Sequence, residues 1–292
     1  MLEPVPYAQD LNREHLSAPV EELAASSVHP FQVFEDLPAL YSWLARDMAD
    51  ELKLNNEAGR ETKWILPVGP KAHYPELARI CNEEGITWEN VTAFHMDEYL
   101  DWQGREVPAS DPFSFRGYCD RHLYQQLDSA LLPKDRNIVF PSVNDPDAFD
   151  ARIEDAGGAD TCFAGFGFRG HLAFNEPPQT RWHFYSVDEF AESKTRIIPL
   201  LEDTIVAHSN RMTGGYTQAI PRMAISIGMK SILSAKRLRL ITDGGKWKQF
   251  IVRVMALTTE PDVMYPCTLA HTHPNVDITV DRDSALPCTL EL

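Results

Sequence analysis

One stretch limits what this chain can fold into more than any other: Thr161-Cys162-Phe163-Ala164-Gly165-Phe166-Gly167-Phe168-Arg169-Gly170-His171, continuing to Glu176-Pro177-Pro178. A short apolar run ends in three closely spaced glycines, a histidine follows at once, and an acid sits five residues later. The pattern predicts a buried strand that stops at a tight turn and presents Gly170-His171 at its carboxyl end. In open α/β sheets that end of a strand is where ligands bind. Glycine lets a ligand approach the backbone closely, and histidine moves protons near neutral pH. The competing reading is a strand, a glycine turn and a histidine that only caps the next element.

The rest of the chain repeats the strand-then-helix rhythm. Leu40, Trp43, Leu44, Met48, Leu52 and Leu54 follow helical spacing and predict an amphipathic helix over about 38–54. Lys63 to Val68 reads as a strand broken by Gly69-Pro70, with a helix over Tyr74 to Asn82. Val91 to Met96 is a second strand, ending at Asp97-Glu98-Tyr99. A helix is expected over Ser114 to Leu132, a brief strand over Asn137 to Phe140 and a helix over Ala148 to Ala156. Arg237 to Thr242 reads as a strand and Trp247 to Leu257 as a helix. This alternation predicts an α/β fold with a mainly parallel sheet and helices on both faces. Residues 1–30, polar and proline-containing, read as an N-terminal extension, and 31–292 as a single domain.

Composition narrows the partners. With 27 basic and 43 acidic residues the formal net charge is −16. Such a surface repels nucleic acid and anionic membranes, so neither is an expected partner. An anionic substrate needs a local basic pocket. No apolar run approaches the length of a membrane span, and Met1-Leu2-Glu3-Pro4-Val5-Pro6 lacks the regions of a signal peptide. Cys81, Cys119, Cys162, Cys267 and Cys288 are scattered, with no CxxC pair. They read as free thiols in a reducing, cytoplasmic setting.

Parallel strands bring their carboxyl ends to one rim. The expected rim carries Gly69-Pro70-Lys71, Asp97-Glu98, Gly170-His171 with Glu176 nearby, and Asp243-Gly244-Gly245-Lys246. The last group can open a helix whose amides bind an anion, with Lys246 adding charge. A carboxylate, a histidine and a cation together suit proton transfer beside a sugar carbonyl. Aldose–ketose isomerisation needs a base that lifts a proton from one carbon and returns it to the neighbour, for which Asp97 is the candidate. It also needs an acid–base group for ring opening, for which His171 is the candidate, with Glu176 orienting the imidazole and stabilising its cation. The bland reading of Asp97-Glu98 is a solvated turn or a helix cap.

Phe94-His95-Met96-Asp97-Glu98-Tyr99-Leu100 resembles the motif of the glucosamine-6-phosphate deaminase family, in which a Met-Asp-Glu-Tyr run follows a strand. Gly165 to Pro177 looks like that family's glycine–histidine motif, and Ser193-Lys194-Thr195-Arg196-Ile197 resembles its later Ser-x-Thr-Arg-Ile run. Ala224-Ile225-Ser226-Ile227-Gly228 and the Gly245-Lys246 turn fall in the family's order. The likeness spans roughly residues 35 to 285. The related 6-phosphogluconolactonases carry a Gly-His-Thr-Ala-Ser type motif, whereas this chain reads Gly170-His171-Leu172-Ala173-Phe174-Asn175-Glu176 and sides with the deaminases.

The resemblance implies a modified Rossmann-like, three-layer α/β/α fold. It implies conversion of an amino-sugar phosphate to a ketose phosphate with release of ammonia, no metal and no redox cofactor, and a possible homo-oligomer. By family role Asp97 matches the proton-shuttling base, His171 the ring-opening histidine, Glu176 its acidic partner and Lys246 the phosphate-binding lysine. Gly69, Lys71, Glu98, Arg169, Gly170 and Arg211 complete the expected substrate-binding set.

Three departures mark this chain. Arg169 stands where the family usually has Asp or Asn; it either lowers the proton affinity of His171 or turns its planar fork to an anion. The family's Gly-Gly-Thr-Pro phosphate loop is replaced by the shorter Gly69-Pro70-Lys71, in which Pro70 lacks an N–H and Lys71 offers a point charge. Arg211 fits the family's phosphate arginine only with a one-residue shift. Phosphate binding is therefore expected to be rebuilt here. A lactonase-like hydrolase, with no carbon base, and a sugar-phosphate sensor without chemistry are the two alternatives. His271-Thr272-His273 reads as a loop or capping feature rather than a metal pair. Arg181-Trp182-His183-Phe184-Tyr185 reads as a packed loop or a lid over the sugar.

Overall fold

In a computed structural model of the chain, which describes Leu11, residues 13–178 and residues 185–288, the sequence pattern resolves into two sheets. The strands are β1 (Phe31–Phe34), β2 (Thr62–Leu66), β3 (Val91–His95), β4 (Asp97–Leu100) and β5 (Ile138–Val139). They continue as β6 (Thr161–Gly165), β7 (Arg196–Pro199), β8 (Met223–Ser226), β9 (Arg237–Thr242) and β10 (Val276–Asp281). Seven of them form one sheet in the order β1-β10-β9-β6-β2-β3-β5, and every neighbouring pair in it is parallel. The central strands are largely buried and rich in apolar residues, as expected for strands covered on both faces. Apolar clusters lie on the two sides. One contains Ile65, Phe94, Cys162 and Leu240. The other contains Trp64, Phe163 and Ile241 with the helices Leu37–Glu57 and Tyr74–Glu84. The fold is a three-layer, Rossmann-like α/β arrangement.

Local signals account for where these helices begin and end. Asp36 caps the helix Leu37–Glu57 by accepting from the Ala39 amide, with proline in its first turn. The left-handed Gly85 ends the helix Tyr74–Glu84. Asp145 caps Pro146–Asp155 in the same way as Asp36. The expected helix over 114–132 is shorter, Phe115–His122 followed by one 3-10 turn, Tyr124–Gln126.

The main departure is at Asp97. The strand expected to end at the Asp97-Glu98 pair stops at His95, and the chain crosses to a second sheet through Met96. The Met96 amide donates to the Leu66 carbonyl, and the Met96 carbonyl accepts from Ile227. Asp97 then opens β4, which pairs antiparallel with β8 in a three-stranded sheet ordered β4-β8-β7.

The strand order reverses between β2 and β6. From β2 the chain builds outward through β3 and β5, then returns to lay β6 on the other side of β2. That crevice is where ligands sit in doubly wound sheets. Its two lips touch: a Cβ placed on Gly165 would lie 1.9 Å from the Gly69 carbonyl oxygen. The expected outcome of Gly165→Ala is a loss of stability of about 3 kcal/mol, because backbone rather than a flexible side chain must move. Urea unfolding checks it; a cost below the error of the method would show that the lips can part freely.

Candidate active site

A cavity of about 260 Å³ opens at this switch point. Asp97, His171, Lys71, Arg211 and Gly69 all line it. Segments more than a hundred residues apart in the chain are thus brought to one hollow, as the shared rim predicts. Among the described residues, no group of three or more His, Cys, Asp or Glu could hold a metal ion, and no helix is long and apolar enough to cross a membrane.

His171 is held by the glycine turn that announced it. The Gly167 amide donates to the His171 carbonyl and the Gly170 amide to the Gly167 carbonyl. The imidazole lies over Gly167, where any Cβ would fall 1.7 Å from Nε2. Downstream, the Asn175 amide group donates to the Leu172 and Ile227 carbonyls, and its oxygen accepts from Arg196. This ties the histidine loop to the small sheet that carries Asp97. Burial drives the His171 pKa down to about 3, with His208 and Lys248 adding to the effect.

Glu176 faces the imidazole. Its Oε1 lies 3.9 Å from His171 Nδ1, beyond hydrogen-bond reach, and neither atom has a partner. The other oxygen accepts from the Leu201 amide. Burial raises the Glu176 pKa to about 7, against the lowering effect of hydrogen bonds from Thr204 and Leu201. An acid that titrates near neutrality thus stands next to a histidine that is neutral there. Asp97, 7% exposed, has its proton affinity raised well above the ordinary carboxylate, by burial first and by the charge of Glu98 second.

Four expected substrate contacts are placed elsewhere. Glu98 does not line the cavity; it accepts from the amides of Tyr99, Phe115 and Arg116 and from the Ser114 hydroxyl. Successive residues of a strand point to opposite sides, so Asp97 and Glu98 cannot both face the hollow. Arg169 is paired with Asp203 at 2.8 Å, outside the cavity lining, and the groups that add to burial in depressing His171 are His208 and Lys248 instead. Gly170, at φ +81°, packs against Cys267 and Ile251 behind the turn. Lys246 is exposed. The single 3-10 turn Gly245–Lys248 rotates it outward and brings Lys248, 4% exposed, to the cavity wall.

Lys248 donates to the Phe166 carbonyl, and burial lowers its pKa to about 8. Lys71 lies over the Tyr118 ring at 4.6 Å; burial and the nearby Arg211 lower its proton affinity. Asp243, part of the expected rim, also lines the cavity, as do Trp247 beside it and His208, which is not among the expected site residues. His208 and Arg211 are three apart on the helix Glu202–Met212, a spacing that shares one face; that signal was available. Tyr99 Oη is 2.7 Å from His208 Nδ1. His271 contacts His29 and His273 contacts the Ala235 carbonyl, both away from the cavity. Of the aromatic insert, Arg181 to Phe184 lie outside the described residues.

Comparison with known proteins follows the same line. No family model matches the chain. A glucosamine-6-phosphate deaminase of Porphyromonas gingivalis is 32% identical over 216 residues, 72% of this chain and 75% of the relative. One from Staphylococcus aureus is 33% identical over 221 residues, 73% of this chain and 78% of its own. This chain belongs to the glucosamine-6-phosphate deaminase family. Among solved structures, a monomeric glucosamine-6-phosphate deaminase superposes with a TM-score of 0.73 at 25% identity, over 88% of this chain and 98% of that one. A 6-phosphogluconolactonase from Shewanella baltica superposes at 0.60 with 17% identity, over 87% and 97% of the two chains, a likeness of fold alone. Against the expectation from the family motif, the lysine brought to this member's cavity is Lys248 rather than Lys246.

The Glu98 contacts yield a prediction. Glu98→Ala leaves a hydroxyl and amides without their acceptor, so stability should fall by about 2–4 kcal/mol in urea unfolding. A loss within error would mean that Glu98 is not the brace described.

Proposed function

We propose that the cavity converts glucosamine-6-phosphate, or a close amino-sugar phosphate, to a ketose phosphate and ammonia. The observation that carries this reading is that Asp97 and His171, which reach the site from different sheets, line one small hollow together with Lys71, Arg211 and Lys248. The family membership of the chain supports the same substrate class.

The chemistry follows from the environments. Neutral His171 accepts the proton of the sugar's anomeric hydroxyl and returns one to the ring oxygen, which opens the ring. The growing imidazolium draws on Glu176, whose ionised form lies on its Nδ1 side. Asp97 takes the proton from the carbon bearing nitrogen and delivers it to the neighbouring carbon, which leaves a C=N bond at the first; one water adds there, the C–N bond breaks, and ammonia leaves as the ketose carbonyl forms. The raised proton affinity of Asp97 makes it a stronger base than an exposed aspartate. Lys71, Arg211 and Lys248 hold the phosphate by side-chain charge, taking over from loop amides that Gly69-Pro70 does not supply.

Purified protein given glucosamine-6-phosphate should release ammonia, and Asp97→Asn should lower kcat by roughly a thousandfold. No turnover with any amino-sugar phosphate would contradict the reading. Loss of activity in His171→Ala with Asp97→Asn unimpaired would instead favour lactone hydrolysis.

The pH profile gives a second test. A pKa raised to about 7 leaves Glu176 protonated below that value, where it cannot stabilise an imidazolium, and ionised above it. The value of kcat/KM should therefore rise through about pH 7. Glu176→Gln should remove that limb and lower the plateau; a profile unchanged by the substitution would exclude the role.

A further inference from the structure

The proposed chemistry leaves one buried acid without a task. Asp243 follows β9 directly, lines the cavity, and shares it with Lys71, Arg211 and Lys248. A carboxylate inside an anion site repels the ligand, so its presence calls for a compensating role.

Its contacts indicate one. Asp243 Oδ2 accepts the Tyr41 hydroxyl, a bond between residues 202 positions apart. The same oxygen lies 3.6 Å from Arg211 Nη2. The Arg211 guanidinium stands 5.0 Å from the centre of the Trp247 indole, and Lys248 Nζ is 4.7 Å from that ring. Arg211 needs such restraint. It sits in the last turn of Glu202–Met212, its side chain is 40% exposed, and a long side chain of this kind has much rotamer freedom to lose on binding. The ion pair spans one edge of the guanidinium at more than hydrogen-bond distance, so the fork keeps its donors for an incoming anion. Tyr41, on the helix Leu37–Glu57, fixes the carboxylate that fixes the arginine. Oδ1 of Asp243 has no hydrogen-bond partner among the described residues.

We infer that Asp243 and Tyr41 are positioning residues that hold Arg211 against Trp247 in the geometry that receives the substrate's anionic group. The inference rests on the sugar-phosphate reading of the cavity. It separates two roles for Asp243 that oppose each other in sign. As a positioning residue it strengthens anion binding through Arg211; as a bare charge it weakens anion binding directly.

Asp243→Asn keeps the size and an acceptor for Tyr41 while removing the charge, and Tyr41→Phe removes only a hydroxyl. With glucosamine-6-phosphate, KM should rise about tenfold in Asp243→Asn, with kcat changed by less than about twofold. Tyr41→Phe should raise KM by about threefold. Because Asp243 acts through Arg211, the double variant Arg211→Ala/Asp243→Asn should match Arg211→Ala alone. A lower KM in Asp243→Asn, or in the double variant relative to Arg211→Ala, would overturn the inference in favour of plain repulsion.

Calorimetric titration with inorganic phosphate reads the same subsite without turnover. Phosphate should bind more weakly to both single variants even if glucosamine-6-phosphate is not the substrate, so the two proposals can fail separately. Unchanged phosphate affinity in folded Tyr41→Phe, confirmed by circular dichroism, would overturn the inference even if Asp243→Asn does not fold.

Discussion

A carboxylate taken out of water without a hydrogen bond to receive it is among the more costly things a fold can contain. Asp97 stands close to that state. It is 7% exposed at the wall of the cavity, its carboxylate accepts no hydrogen bond from a described residue, and it is followed by a second acid. The two-sheet architecture makes this possible. Met96 hands the chain from the parallel sheet to the antiparallel one, and Asp97 opens the new strand in register with Ser226. Glu98 points the other way and is satisfied four times over. Burial raises the proton affinity of both adjacent acids, yet their surroundings differ: one braces a helix start, the other waits at a cavity.

The same contrast runs through His171 and Glu176. Burial acts on both, but it favours the neutral form of each, so it pushes the histidine down and the carboxyl up. At neutral pH the pair lacks the ion pair that its 3.9 Å separation suggests at first sight. The pair's two orphaned atoms face each other, and substrate supplies the proton that they have yet to share. On this view a neutral imidazole stands beside an acid poised between its two forms where ring opening occurs, and the cations are gathered at the opposite need, the anion. Lys71, Arg211 and Lys248 come from three separate segments, and under the proposed function they take the place of a phosphate loop that Gly69-Pro70-Lys71 does not provide.

Much of this was legible in the residues. The glycine run predicted a strand end, a turn and a presented histidine because glycine at 167 is the condition for the imidazole to lie where it does. The apolar run at 161–165 and the strand pattern at 237–242 point to parallel strands, and strand ends point to the rim. Other features were not legible for physical reasons. Strand β4 could not be read as a separate element, since one residue, Met96, makes the crossing, and a period-two pattern does not register a change of partner. Whether Lys246 or Lys248 faces inward depends on the pitch of a single 3-10 turn. Arg169 reads in the sequence either as a depressor of His171 or as an anion ligand, but Asp203, 34 positions on, pairs with it. A lactonase or sensor reading finds less support in these residues, since neither has use for a buried, unpartnered Asp97.

The fate of one hydrogen tests the account most directly. Glucosamine-6-phosphate carrying deuterium on the carbon that bears nitrogen can be incubated with the protein and followed by NMR. The account predicts that the label leaves that carbon as ketose forms, reaching the neighbouring carbon or water, and that Asp97→Asn halts its departure. Product that keeps the label on its original carbon, or label lost at the same rate without Asp97, would contradict it.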